Sequence, residues 1–234
     1  KKLGCLFAAA PSEQGLPTGM CLVFVTPDAQ RTMCTYLGTA ALLAPDDLNE
    51  TIISGSKIVY MEGYLFDQPV AQEAMVRVAG VANKAGGKVA VTLSDRFCVE
   101  RHRDAFIELV ERNTDILFAN EDEFISLYQA ENLEQAVKLG SGKCDLICVT
   151  RGEKGAVILS ETKSIEVKSE AVDKLIDTTG AGDQFAAGFL FGLCKGEELT
   201  TCARIGAIAA AEVIGHYGAR PETDLAALVA GRLG

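Results

Sequence analysis

Asp177-Thr178-Thr179-Gly180-Ala181-Gly182-Asp183-Gln184-Phe185 is the most informative stretch of the chain. It opens an apolar helix whose face carries Phe185, Phe189 and Leu193. Small residues at 180–182 let a ligand approach the backbone closely. The free N–H groups at the start of such a helix point outward, with the positive end of the helix dipole behind them. That arrangement suits a phosphoryl group in transfer, whose charge is spread over its equatorial oxygens. Asp183 falls in the first turn, where the dipole is expected to hold its carboxyl below the ordinary pKa. A weak base suffices, because a loose transition state needs the attacking hydroxyl oriented more than deprotonated. Taken alone, a Gly-Ala-Gly turn also reads as an ordinary loop and helix start. A dinucleotide fingerprint does not fit, since G-x-G-x-x-G would need glycine at 185, where Phe stands.

Upstream of this stretch, strand and helix patterns alternate from Lys57 onward. Ile58-Val59-Tyr60, Val89-Ala90-Val91 and Ile116-Leu117-Phe118 read as buried strands. Val70, Ala74, Met75, Val78 and Ala82 mark one helix face, and Phe106, Leu109 and Val110 mark another. Pro69 suits the first turn of the former helix and Gly86-Gly87 its end. The expected result is a mainly parallel sheet with right-handed crossovers. Leu146–Thr150, Ala156–Leu159 and Ser164–Val167 follow without helices between them, which predicts an antiparallel edge. Helices are expected over 182–194, 200–214 and 223–233, with Gly196 and Gly215 as stops. Near the other end, Gly19–Val25 and Arg31–Gly38 flank the turn chemistry of Thr26-Pro27-Asp28-Ala29-Gln30 and predict a β-hairpin off the main sheet.

Bulk properties narrow the function classes. The 234 residues are 48% hydrophobic and 23% charged, a globular balance. A net charge of −10 argues against nucleic acid as a partner, and no apolar run is long enough to cross a membrane. The eight cysteines form no C-x-x-C pair, and with only two histidines a zinc site is not expected. Cys21, Cys148, Cys194 and Cys202 lie in apolar segments and read as small core residues, which fits a reducing cytoplasm. His102, between Arg101 and Arg103, reads as part of a solvated basic cluster.

The 177–185 string, with its continuation Ala186-Ala187-Gly188-Phe189-Leu190, resembles the C-terminal signature of the ribokinase-like (PfkB) kinase family. The resemblance implies an α/β fold with a mainly parallel central sheet flanked by helices and a small β lid. It implies that Gly180, Ala181 and Gly182 form an anion hole and that Asp183 is the catalytic base. Asn120-Glu121-Asp122-Glu123 is similar to the family's Asn-x-x-Glu element. That similarity implies that Asn120 and Glu123 organise hydrated Mg²⁺ and phosphate, a sparing use of carboxylates that Mg²⁺ tolerates. A helix cap at Asn120 and a solvated first-turn acid at Glu123 are the competing readings. Val149 to Gly155 looks like the strand-turn-strand edge lining the ATP site, which would place Thr150, Gly152 and Gly155 there; an ordinary two-glycine turn reads equally well. Gly215 to Pro221 is similar to the segment bordering adenine, with His216 stacked on the base and Gly218 beside it; a surface histidine at a helix end is the alternative. Asp177 and the Thr179 carbonyl resemble a monovalent cation site, so ATP and Mg²⁺ are the expected cofactors and K⁺ an optional third.

Within the family the pattern is most similar to adenosine kinases. Pro17 to Val23 resembles the start of their lid strand, Thr26 to Met33 its turn and return, and Tyr60 to Phe66 the loop bordering the nucleoside base. On this resemblance Gly19, Cys21, Arg31, Tyr64 and Asp183 contact the acceptor or its phosphate. Core packing of Tyr64 and Phe66, and plain exposure of Arg31, are the alternatives. Residues 1–44 are expected to be part of the lid and its connections, and residues 45–234 the nucleotide-binding and catalytic domain. The family's opening strand and Gly-Gly loop are not found before this lid, so a longer gene product is expected. A nucleoside, adenosine giving AMP, is the leading acceptor, with a free sugar such as ribose or fructose second and a non-catalytic sensor third. The protein is expected to act as a monomer or a lid-mediated homodimer.

Overall fold

The computed structural model describes residue 6 and residues 15–234. A six-stranded sheet runs in chain order, β3-β4-β5-β6-β7-β8, beside a separate two-stranded hairpin, β1-β2. The hairpin strands are β1 (Thr18–Val25) and β2 (Arg31–Gly38). The main sheet comprises β3 (Ile58–Glu62), β4 (Lys88–Thr92), β5 (Ile116–Asn120), β6 (Leu146–Thr150), β7 (Ala156–Ser160) and β8 (Ser164–Val167). β3 to β6 are parallel, and β7 and β8 add antiparallel. Both expectations, a mainly parallel sheet and an antiparallel edge, are met.

Chain-order parallel strands advance in one direction, so right-handed crossovers must all pass over one face. That face holds α2 (Pro69–Lys84), α3 (Arg96–Asn113), α4 (Glu121–Leu127) and α5 (Leu133–Gly140), packed on Val89, Val91, Leu117, Ala119, Ile147 and Val149. A short helix, α1 (Glu50–Ser54), precedes β3. Strand side chains alternate between faces, so Ala90, Ile116, Phe118, Cys148 and Ile158 point the other way. They meet α6 (Ala181–Lys195) and α7 (Leu199–Val213) through Phe185, Phe189, Cys202 and Ala203. The edge of the Phe118 ring meets Phe189 at 5.7 Å between centroids. Close approach of α6 to α7 depends on small residues, since a Cβ on Gly188 would lie 2.8 Å from Gly206 Cα. The last helix, α8 (Leu225–Leu233), is capped by Asp224, whose carboxylate accepts the Ala226 N–H at 2.9 Å.

The structure corrects several readings. Cys148 and Cys202 are buried, but Cys21 and Cys194 are exposed. Cys21 sits in a two-stranded ribbon with no covering layer among the described residues, and Cys194 in the last turn of α6. His102 is not a solvated basic residue. It interrupts α3 with φ −124° and ψ 27°, its side chain is 24% exposed, and Nε2 lies 2.9 Å from Asp67 Oδ1. Helix α7 ends as expected, with Ile214 as its C-cap just before Gly215, and the Ile214 carbonyl accepts the Ile176 N–H at 2.9 Å. Of the expected lid unit, residues 1–5 and 7–14 lie outside the described residues. No helix among the described residues is long and apolar enough to cross a membrane.

Candidate active site

The C-terminal ends of the parallel strands and the start of α6 bring the sequence-marked residues together. Gly180 caps α6 in the left-handed region, at φ 81° and ψ 1°. A Cβ there would meet the Ala219 Cβ at 2.7 Å, so this position has room only for glycine. The Ala181 N–H turns back to the Thr178 carbonyl at 3.3 Å, and the Gln184 N–H takes the Gly180 carbonyl at 2.9 Å. Between them, the N–H groups of Gly182 and Asp183 have no acceptor among the described residues. Among the described residues, nothing outside the local helix backbone lies within 4 Å of where a Gly182 Cβ would sit. Two unpaired donors at a helix start, with open space before them, form a place for an anion.

Asp177 braces this loop. It is 3% exposed, and its Oδ1 accepts the Thr179 N–H at 2.9 Å and hydroxyl at 2.6 Å. Its Oδ2 accepts the Gly218 N–H at 3.0 Å, which ties the signature to the 214–219 segment. Burial alone would raise this carboxyl, but the bonds from Thr179 and Gly218 outweigh it, and the Arg31 charge adds to them, so its pKa is lowered. Arg31, at the base of the hairpin turn, therefore lies within electrostatic reach of the anion loop.

Asn120 and Glu123 form a reciprocal capping box at the β5–α4 junction. Asn120 Oδ1 accepts the Glu123 N–H at 2.8 Å, and Glu123 Oε2 accepts the Asn120 N–H at 2.9 Å. Asn120 Nδ2 also donates to Glu123 Oε1 at 2.7 Å. The cap is real, while a solvated acid is excluded, since Glu123 is 6% exposed. Burial pushes its carboxyl up to about 7 against the opposing Asn120 N–H bond, with Asp95 and Asp122 adding to the rise.

Asp183 departs from expectation. The residue is exposed, yet partial loss of water around its carboxyl raises the pKa instead of lowering it. Removing water from a carboxyl disfavours its charged form. Beside it stands a residue that the sequence reading did not single out. Glu62 ends β3 and is pushed up to about 7 by burial, and then by the charges of Asp183 and Glu123. The signal was an acid closing an otherwise apolar strand. Tyr64, in the turn that follows, is raised to about 12 by burial and by Asp95, Glu62 and Glu123. Phe66 is removed from the site altogether, being 2% exposed and stacked on Phe106 at 4.3 Å.

On the other side of Asp183 the strand register places Thr150 beside Asn120 and Ala156. The following turn holds Gly152 at φ 56° and Gly155 at φ 87°, closed by the Arg151 N–H on the Gly155 carbonyl at 2.7 Å. His216 is not a free surface side chain. It is 16% exposed, with Nε2 3.5 Å from Glu212 Oε2. Burial opposes its protonation, but the Tyr217 carbonyl, Glu212 and Glu222 outweigh this and raise its pKa. Gly19 and Cys21 stay in the hairpin, where Cys21 Sγ pairs with Thr35 Oγ1 at 3.2 Å. No described contact brings either of them to the carboxylates.

The sequence pattern of the PfkB family of carbohydrate kinases matches residues 11–225. The chain belongs to that family. It is 29% identical over 220 residues to adenosine kinase of Saccharomyces cerevisiae, covering 88% of this chain and 64% of that protein. Among solved structures, adenosine kinase from Sinorhizobium meliloti superposes with a TM-score of 0.92 and 41% identity, over 97% of this chain and 69% of that one. A probable sugar kinase from Rhizobium etli fits equally well, at 0.93 and 39%, over 96% and 68%. The ribokinase-like fold expected from the signature is thus the observed one. Likeness by itself does not separate the two acceptor classes.

The raised carboxyls have a consequence for stability. Glu62, Glu123 and Asp183 have folded pKa values above their unfolded ones, so the folded state holds protons that the unfolded state releases. Their contribution is full below the ordinary carboxylate range and is lost as pH rises through the folded values, about 7 for Glu62 and Glu123. Thermal unfolding without ligand should therefore show a falling Tm between about pH 5 and about pH 8. Glu62→Gln should flatten that slope. An identical slope in the variant would refute the raised carboxyl at Glu62.

Proposed function

We propose that this chain carries the catalytic part of an ATP-dependent kinase that transfers the γ-phosphoryl group to a primary hydroxyl of a nucleoside, adenosine giving AMP. The observation that carries it is the pair of unpaired N–H groups at Gly182 and Asp183, with the Asp183 carboxyl on the same helical turn. In-line transfer needs little covalent help from the protein, so positioning and charge stabilisation do the chemistry. The two N–H groups hold the transferring phosphoryl oxygens. Asp183 accepts a hydrogen bond from the attacking hydroxyl and takes its proton, a task helped by a carboxyl pKa that burial has raised.

Sheet order divides the site. Asn120, Thr150, Gly152, Gly155 and Gly218 serve the nucleotide over β5 to β7. Glu62 and Tyr64 serve the acceptor over β3 and β4, and Asp183 stands between. Arg31 reaches the phosphates from the lid.

The donor set fits Mg²⁺. Asn120 and Glu123 bring an amide oxygen and a buried carboxylate to one strand end, hard oxygen donors of the kind Mg²⁺ takes. No group of three metal-binding side chains converges among the described residues. Asn120 and Glu123 would hold it, and when bound it neutralises charge developing on the phosphates. Asp177 and Thr179 remain the place for K⁺, with the Asp177 carboxylate already spent on Thr179 and Gly218. The free thiols among the described residues suit a reducing cytoplasmic setting.

For the acceptor, the hairpin offers exposed Met20, Leu22, Phe24 and Tyr36, apolar surface that a flat purine can use. Burial of Phe66 in the core takes away one aromatic partner and keeps a free sugar as the second reading. ADP formation with ATP, Mg²⁺ and K⁺ decides between them, comparing adenosine, other nucleosides, ribose and fructose. Adenosine-dependent turnover is expected. Turnover with a free sugar alone would replace the acceptor, and ATP binding without turnover on any acceptor would favour a sensor.

A further inference from the structure

Ser94 follows β4 by two residues and is one of the few non-glycine residues with positive φ, at 68°. A serine in this region is strained, and such strain persists only where its surroundings hold it. Here the Leu93 N–H is taken by the Phe118 carbonyl at 3.0 Å on one side. On the other, Asp95 caps α3 by accepting the Cys98 N–H at 3.0 Å. The twist aims the half-buried hydroxyl across to the end of β3. It accepts the Gly63 N–H at 2.8 Å and donates to Glu62 Oε1. The Thr92 carbonyl, 3.3 Å away, is a second acceptor for the same hydrogen.

These partners let one hydroxyl serve either protonation state of Glu62. When Glu62 is charged, Ser94 donates to it. When Glu62 carries a proton, that proton can go to Ser94 Oγ, while the Ser94 hydrogen turns to Thr92. The direction of the carboxyl is kept in both cases. Alternation along β3 puts Glu62 on the face of Tyr60, whose ring meets Phe118 at 6.1 Å, and hence on the side of α6.

We propose that Ser94 is a positioning residue for the acceptor: taking the Gly63 N–H and donating to Glu62, it fixes the Glu62 carboxyl on the α6 side of the sheet, where acceptor hydroxyls meet it. The assignment of Glu62 to the acceptor rests on the proposed function, whereas the Ser94–Glu62 bond does not.

Two measurements separate them. The first follows the Glu62 carboxyl by infrared titration, assigned by difference from Glu62→Gln. Ser94→Ala and Ser94→Gly should both move this titration upward, because the charged carboxylate loses a donor. The second is steady-state kinetics with adenosine. Both variants should raise the adenosine KM about tenfold, the scale of one hydrogen bond to a charged group, with the ATP KM little changed. In a Glu62→Ala background, which leaves no acceptor at position 62 for the Ser94 hydroxyl, Ser94→Ala should add nothing. Ser94→Gly also relieves the left-handed strain, so it folds even if the alanine variant does not. An unmoved Glu62 titration, a Ser94→Gly variant that behaves as wild type, or equal rises in both KM values would overturn the proposal. If wild type does not use adenosine but the titration moves, the positioning bond stands and the acceptor reading falls.

Discussion

Asp183→Asn is expected to lower turnover about a thousandfold while ATP still binds and the protein melts no earlier than wild type. The amide has the shape of the carboxyl and stays in the first turn of α6, so the helix start keeps its geometry. The Gly182 and residue 183 N–H groups are untouched, which preserves the anion site. What disappears is an acceptor for the hydroxyl proton. Stability should hold, because the folded protein disfavours the charged form of this carboxyl. Loss of that charge should also let Glu62 titrate lower, since Asp183 is the foremost charge raising it. ADP formation, ATP titration calorimetry and a thermal melt read the effects separately. A variant within about tenfold of wild-type turnover would remove Asp183 from the base role.

The fold was legible in the chain because two periodicities were clean. β-branched runs at 58–60, 89–91 and 116–118 alternated with helical apolar faces, and each strand lies where that pattern put it. The hairpin was readable from the turn chemistry at 26–30. Exposure was harder to read. Cys21 and Cys194 look apolar in sequence, but burial depends on whether a second layer covers an element, and no local pattern encodes that. Phe66 shows the converse, an aromatic in a loop that the approach of Phe106 makes core.

Site chemistry was legible where one short segment carried it. Gly180 to Asp183 needs no distant residue to make its donors, and Asn120 with Glu123 makes its cap within one turn. The sign of the Asp183 shift was not, because the helix dipole is local and the loss of water is set by the surrounding fold. Glu62 and Ser94 are 32 positions apart, and parallel pairing of β3 with β4 brings them together. His102 was misread for the same reason, since its partner Asp67 lies 35 positions away.

Gly180→Ala and Gly182→Ala should act oppositely on stability and alike on activity. At Gly180 the methyl group would meet Ala219 Cβ at 2.7 Å, Cα at 3.0 Å and O at 3.1 Å, at φ +81°. None of these atoms is the end of a flexible side chain, and the segment carrying them is tethered by the Gly218 N–H on Asp177. The loop must open, which should cost about 1–2 kcal/mol and move the N–H donors off target, for about a hundredfold loss in kcat. Ala219→Gly removes the nearest atom and should restore part of the activity, though not the backbone strain. At Gly182 no atom of the described residues outside its own helix start lies within 4 Å of the new methyl, and the position is helical. Alanine should therefore stabilise the fold by up to about 1 kcal/mol. The same methyl occupies the space through which a phosphoryl group reaches the donors, so kcat/KM for ATP should fall about tenfold or more. Melting temperature and ATP kinetics on the two variants decide the matter. A Gly182→Ala protein that is more stable and fully active would mean that no ligand approaches the helix there, and the anion site would have to lie elsewhere. A more stable but inactive one would point to a ligand at this helix start, because the described residues outside the helix leave that space open.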